Sequence, residues 1–194
     1  MARVKYTDVM AVVSCAGMIA WLLTQFFGGM AIWFFSYPLI IFPVLILYII
    51  SIFNTLIAIG RKGFGSNRIK IMSHCVVVVL IVASAIFDSD LLRSKRIMTA
   101  TLYDDLFSYT LVLRQNGSCQ NEVNGFMGFS EVFNGQYTIK GDTIIFSKMP
   151  YDNEDFIPDT ILIDRRAGAI FIERDTTGNF IKEKGFLNHF KIEE

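Results

Sequence analysis

The chain has 194 residues, 53% of them hydrophobic and 19% charged, and its 18 basic and 18 acidic side chains cancel. A mean hydropathy of +0.44 excludes a disordered chain and speaks against a water-soluble globule. Zero net charge leaves no bulk electrostatic attraction for a nucleic-acid polymer.

Between Asp8 and Arg61 lies a run of 52 residues without a charged side chain. As one helix it would be about 78 Å long, against a hydrocarbon core of about 30 Å, so it folds back. Gly28, Gly29 and Pro38 mark the reversal, because Gly-Gly weakens a helix and proline removes a backbone donor. This predicts a first span over 9–27 and a second over 39–59. Trp21, Trp33, Tyr37 and Tyr48 have the chemistry of interface anchors. A third apolar run, 71–87, is about the minimum length for a crossing. Its β-branched core from Cys75 to Val82 has no polar face, which favours a span over a buried soluble helix. The whole stretch is too long for the apolar part of a cleaved signal peptide. Residues 1–90 are therefore expected to form a domain of two to three transmembrane helices.

Arg3 and Lys5 precede the first span, and Arg61, Lys62, Arg68 and Lys70 follow the second. The positive-inside rule puts both groups in the cytoplasm. Three crossings then send the carboxy-terminal half to the far side of the membrane. Arg93, Lys95 and Arg96 pull the other way, partnered by Asp88 and Asp90, and a re-entrant segment would bring that half back to the cytoplasm. Gln25, Asn54 and His74 lie in or near the spans, and Ser51, Asn54 and Thr55 cluster on the second. Such groups mark interhelical hydrogen bonds, oligomer contacts or a wet path, or else bond locally near helix ends. Cys15 and Cys75 read as small apolar residues.

From about residue 97 the pattern changes to short, alternating, β-branched and aromatic segments. Asn116-Gly117, Asn124-Gly125, Asn134-Gly135, Gly141-Asp142, Ala167-Gly168 and Gly178-Asn179 punctuate it. Turn signals at this spacing indicate an all-β barrel or sandwich. Strands are predicted at 97–104, 107–114, 118–123, 128–133, 136–140, 143–147, 160–164 and 169–174, with a closing strand near 186–192. Residues 91–194 are thus expected to be an antiparallel β-barrel of about eight strands, a closed form that leaves no free edge. This half holds 12 basic and 15 acidic residues, so an anionic ligand would need a local cluster. Cys119 is its one cysteine, which excludes an internal disulfide.

Catalytic and metal motifs are absent from the sequence. It has two histidines and no nucleophile elbow, zincin motif or Walker loop,. The acidic stretch Asp152, Glu154, Asp155 and Asp159 lacks the alternate ligand spacing and bend glycine of a calcium loop and reads as a solvated turn. His189 reads as a surface or rim residue. No catalytic residue, metal or cofactor is expected; the domain reads as a binder. A cyclic nucleotide would need cations at its phosphates and aromatic faces under its bases. Arg114, Lys140, Arg165 and Arg166 are strand-end cations of this kind, and Tyr109 and Tyr137 are candidate stacking faces. The same residue types also serve as solubilising edges and core.

Membrane spans followed by a minimal barrel, with the unit Phe133-Asn-Gly-Gln-Tyr137-Thr-Ile-Lys-Gly-Asp142, resemble the membrane-anchored β-barrel effectors of bacterial cyclic-oligonucleotide antiphage systems (CBASS), two-transmembrane-plus-β-strand proteins. The resemblance implies an antiphage effector. Its barrel, on the cytoplasmic side, binds a cyclic di- or oligonucleotide; the protein then self-associates as a homo-oligomer in the inner membrane and disrupts the bilayer, killing the infected cell. Gln25, Asn54 and His74 would line the resulting defect. The alternative from another class is a membrane-anchored immunity protein whose barrel blocks an interbacterial toxin.

Overall fold

The computed structural model describes residues 5–151 and 156–193, apart from the side chain of Asp88. The chain divides into two compact units at Leu92/Arg93. Asp152, Glu154 and Asp155 of the acidic stretch lie outside the described residues, as does Arg3.

The first unit is helical: α1 (Tyr6–Leu23), α2 (Met30–Ser36), α3 (Pro38–Lys62) and α4 (Arg68–Asp88). Three helical stretches, Tyr6–Phe26, Pro38–Lys62 and Gly65–Phe87, are long and apolar enough to cross a membrane. The break falls where the sequence placed it. Gly28 and Gly29 both adopt positive φ (85° and 95°), open to glycine at no steric cost. Pro38 occupies the first turn of α3, where its missing N–H costs nothing. The short α2 between them was not expected. Large apolar side chains on all three long helices point outward, among them Val13, Phe42 and Val79, as a lipid-facing surface requires.

Polar contacts fix the packing of this bundle. Asp8 near the start of α1 lies 4.0 Å from Lys70 near the start of α4, both side chains largely buried. The two helices therefore run parallel, and α1 packs against both α4 and the returning α3. The Asn67 side-chain amide donates to the carbonyls of Ala58 (3.0 Å) and Gly63 (2.9 Å), bracing the turn after α3 against the helix's last turns. Gly17 lets α1 approach α3 closely, since a Cβ there would sit 3.0 Å from a Val44 methyl.

The second unit is a closed antiparallel barrel in strict sequence order: β1 (Arg96–Tyr103), β2 (Phe107–Arg114), β3 (Ser118–Gly125), β4 (Ser130–Lys140), β5 (Thr143–Lys148), β6 (Thr160–Asp164), β7 (Ala169–Phe171) and β8 (His189–Glu193). β8 closes the circle by pairing with β1, Ala100 opposite Ile192. Inward positions alternate as the pleat demands: Ala100 and Leu102, Leu111 and Leu113, Ile144 and Phe146, Ile161 and Ile163, Ile170, and Phe190 form one core cluster. Most of these are fully buried, so the lumen is a packed core.

Two features differ from the sequence reading. Segments 128–133 and 136–140 are one strand, β4, and Asn134-Gly135 is not a turn. Gly135 sits at a tight crossing, where a Cβ would lie 2.5 Å from the Lys148 carbonyl oxygen and 2.9 Å from Cys119 Sγ. The glycine is needed for close backbone approach beside an irregularity at Gln136/Tyr137, which bends β4 from β3 towards β5. The stretch 169–174 also shortens to Ala169–Phe171. The strand count is still eight, because one predicted pair fused and the closing strand formed.

Candidate ligand groove and membrane polar cluster

On the outer face of the barrel, where β8 closes onto β1 beside the turn between β6 and β7, lies an open groove of about 680 Å³. Its polar wall comes from Lys184, His189, Lys191 and Glu193, and its other side from Thr101 and Tyr103. The alternation of β8 produces this wall. Phe190 fills the core, so His189, Lys191 and Glu193 turn outward. The side chains are held in place. Lys184 Nζ donates to the Ala167 carbonyl at 2.7 Å, and His189 Nδ1 lies 3.2 Å from the Gly185 carbonyl oxygen. Thr101 Oγ1 donates to Glu193 Oε1 at 2.6 Å and lies 3.2 Å from Thr110 Oγ1. Two ammonium groups and an imidazole beside a carboxylate and a phenol ring suit an anionic ligand that also has hydrogen-bonding edges.

The six barrel residues named from the sequence are not gathered in this groove. Arg114 is 2% exposed; its Nη1 donates to the Ser94 carbonyl (2.8 Å) and its Nη2 to Gln120 Oε1 (3.1 Å). Gln120 also accepts from Arg93 and donates to Asn134 Oδ1. Arg114 thereby ties the segment before β1 to the wall of β3. Tyr137 is buried, its hydroxyl donating to the Arg114 carbonyl at 2.7 Å; burial raises its pKa. Tyr109 is half-buried against Phe107 and Phe156, and burial raises its pKa, with the Asp104 charge adding to the shift. Lys140, Arg165 and Arg166 are exposed on turns at one end of the barrel. The groove lysines and His189 were missed as a set. The pattern His-Phe-Lys-Ile-Glu marks His189, Lys191 and Glu193 as outward once Phe190 is assigned inward, whereas Lys184 precedes the strand and carries no such signal.

Cys119 faces the core beside Gly135, and burial pushes its thiol up to about 12, leaving it a protonated, inert side chain at neutral pH. Tyr151 packs edge-on against Phe146, and burial holds its phenol well above the ordinary value. Among the described residues no group of three or more His, Cys, Asp or Glu is placed to hold a metal.

In the helical unit, His74 of α4 joins three helices. Its Nδ1 lies 3.4 Å from Cys15 Sγ on α1 and its Nε2 3.3 Å from Ser51 Oγ on α3, with the Tyr48 ring 5.4 Å away. Cys15 is therefore more than the apolar filler expected from sequence. Gln25 lies apart, its Oε1 accepting from the Met30 backbone at 3.4 Å. Asn54 is exposed on α3. The three polar residues named as a set occupy three different environments.

Comparison with family models, curated proteins and solved structures finds no match to this chain.

Proposed function

We propose that this chain is a non-catalytic, membrane-anchored binding protein, an effector whose barrel takes up a cyclic nucleotide and whose spans deliver the response. The groove at the β8–β1 seam carries the reading. The barrel lumen is filled by its own core, and the groove combines cations, an aromatic ring and hydrogen-bonding edges in a space of nucleotide size,. Phosphates meet Lys184 and Lys191, with His189 beside them. A base stacks on Tyr103, and Glu193, held by the Thr101 hydroxyl, addresses its edge. Binding favours an assembled state by its differential affinity for that state. Asn54, exposed on α3, supplies a polar contact between copies, and assembly opens the inner membrane.

The test is dye release from liposomes carrying the full chain when cyclic dinucleotides are added. Release that is abolished by K184E/K191E supports the effector. Binding and release that survive the double charge reversal remove the groove from the mechanism.

A second reading follows from the parallel α1 and α4. Lys5, Arg61, Lys62, Arg68 and Lys70 all belong to the end of the bundle where Asp8 meets Lys70. With that end in the cytoplasm, three crossings put the barrel outside, beyond a cytosolic messenger. There the chain acts as an immunity protein that covers an incoming toxin. A reporter fused after Glu194 separates the two: cytoplasmic activity supports the effector, and periplasmic activity supports immunity.

A further inference from the structure

We propose that the barrel tip bearing Leu106, Phe126 and Met127 is a docking surface for a protein whose contact patch is apolar and rimmed by lysine or arginine. The tip is a separate surface from the groove and does not depend on the groove's ligand. The register places its two loops side by side: Phe107, just after the β1–β2 turn, pairs with Gly125, just before the β3–β4 turn. Beneath them the rings of Phe107 and Phe129 pack edge to face, and a Cβ on Gly125 would fall 2.5 Å from the Phe107 ring. The tip is thus a built platform with its own small core. Above it, Leu106 is 63% exposed, Phe126 67% and Met127 53%. Met127 is held at φ 57°, ψ 24°, a left-handed conformation that unbranched apolar residues rarely adopt. The turn therefore presents large apolar groups to solvent at a conformational cost, where a glycine or asparagine would be the easy choice.

Charge identifies the occupant. Asp104 and Asp105 lie in the first turn, and Glu122 and Glu131 flank the second. Between Ile97 and Ile139 the one basic residue is Arg114, which is buried and committed to Ser94 and Gln120. An apolar centre flanked by Asp104, Asp105, Glu122 and Glu131, on two hairpins that carry no exposed base, matches a partner of opposite rim charge, the arrangement that fixes orientation and speeds association at protein interfaces,. An anionic lipid surface would be repelled by the same rim.

The test uses the full chain in phosphatidylcholine nanodiscs and two short fluorescent peptides of identical leucine and tryptophan content, one carrying lysines and arginines and the other glutamates. The lysine-arginine peptide should bind at least about tenfold more tightly, an affinity that falls with salt. F126S/M127S should weaken it by about tenfold or more. D104N/D105N/E131Q, which leaves the apolar groups in place, should remove the preference and the salt dependence together. K184E/K191E in the groove should leave peptide binding unchanged, so failure of the groove reading does not carry over to the tip. Equal binding of both peptides, or binding that survives F126S/M127S, overturns the proposal. So does F126S-sensitive association with phosphatidylglycerol vesicles or with a second copy of the chain in the absence of peptide binding, because the occupant is then lipid or self.

Discussion

The phenol of Tyr137 donates a 2.7 Å hydrogen bond to the main-chain carbonyl of Arg114. This bond closes the barrel wall where β4 bends. The same Arg114 reaches back through its guanidinium to the Ser94 carbonyl, so one residue links the start of the domain, the β2–β3 turn and the bend. Two residues whose types suit a phosphate and a base are engaged in holding the barrel together.

That engagement predicts a stability effect. Tyr137→Phe removes one of two donors to the Arg114 carbonyl, which keeps the Gly117 N–H at 3.0 Å, at a cost of about 0.5–1.5 kcal/mol. Lys140→Ala, Arg165→Ala and Arg166→Ala alter exposed turn residues and should stay within about 0.5 kcal/mol of the parent. Denaturant titration of the full chain in micelles, followed by near-UV circular dichroism, measures both. Equal stability of Tyr137→Phe and the parent would show the hydroxyl bond to be dispensable.

Gly135 gives the second prediction. A methyl group there meets the Lys148 carbonyl oxygen at 2.5 Å and the Pro150 nitrogen at 2.8 Å, and backbone does not move aside as a flexible side chain would. Gly135→Ala should cost about 1–3 kcal/mol as overpacking. Gly141→Ala meets no atom within 4 Å but adopts φ 62°, so its cost is conformational and should be smaller, about 1 kcal/mol. Thermal melts of the two variants in one detergent rank them directly.

The same glycine shows how far the sequence could be read. Hydropathy located all three helices long and apolar enough to span a membrane, and the Gly28–Pro38 break between the first two, because a continuous apolar run makes one demand on every side chain along a helix. The alternation of Leu111, Leu113, Ile144, Phe146, Ile161 and Ile163 likewise announced the barrel. Asn134-Gly135 has the composition of a hairpin turn, yet it lies mid-strand, where β3 and the end of β5 approach the β4 backbone closely. Composition does not distinguish a glycine chosen for positive φ from one chosen for lack of a Cβ. The groove was harder still to see, since it depends on β8 closing onto β1, and the spacing between Glu193 and Thr101 is invisible along the chain.

His74 joins α1, α3 and α4 through Cys15 and Ser51. In a bilayer such bonds are each worth about 0.6–2 kcal/mol, and their partners are hard to replace. His74→Leu should loosen the bundle by removing both contacts, while Ser51→Ala should remove one. The effects of Ser51→Ala and His74→Leu should be less than additive because they share a contact. Unfolding in mixed detergent micelles, read by tryptophan fluorescence from Trp21 and Trp33, gives the double-mutant cycle. Strict additivity would show that the Ser51 contact contributes nothing.

Two aspartates at barrel turns make the fold acid-sensitive in a defined place. Asp164 accepts from the Ala167 N–H at 3.0 Å, and Lys182 Nζ lies 3.4 Å away. The Ala167 hydrogen bond, helped by Lys182, holds its pKa below the ordinary 3.8. Asp175 accepts from the Thr177 hydroxyl at 2.6 Å and from the N–H groups of Thr177 and Asn179. The Thr177 hydroxyl and the Asn179 N–H lower its pKa most. In both cases the folded state favours the charged form, so the unfolded chain binds protons at higher pH than the folded one. The stabilisation is complete above the unfolded value near 4 and is lost as pH falls through the depressed folded values. The turn 165–168 and the loop 175–179 should therefore open first on acidification below about pH 4, while the core strands around Leu111 and Ile161 hold. Hydrogen–deuterium exchange of the full chain in micelles across that range, read peptide by peptide, tests the order. Asp164→Asn and Asp175→Asn should each remove the acid dependence of their own segment and leave the other's intact. Uniform opening of all strands at one pH would locate the acid-sensitive groups elsewhere.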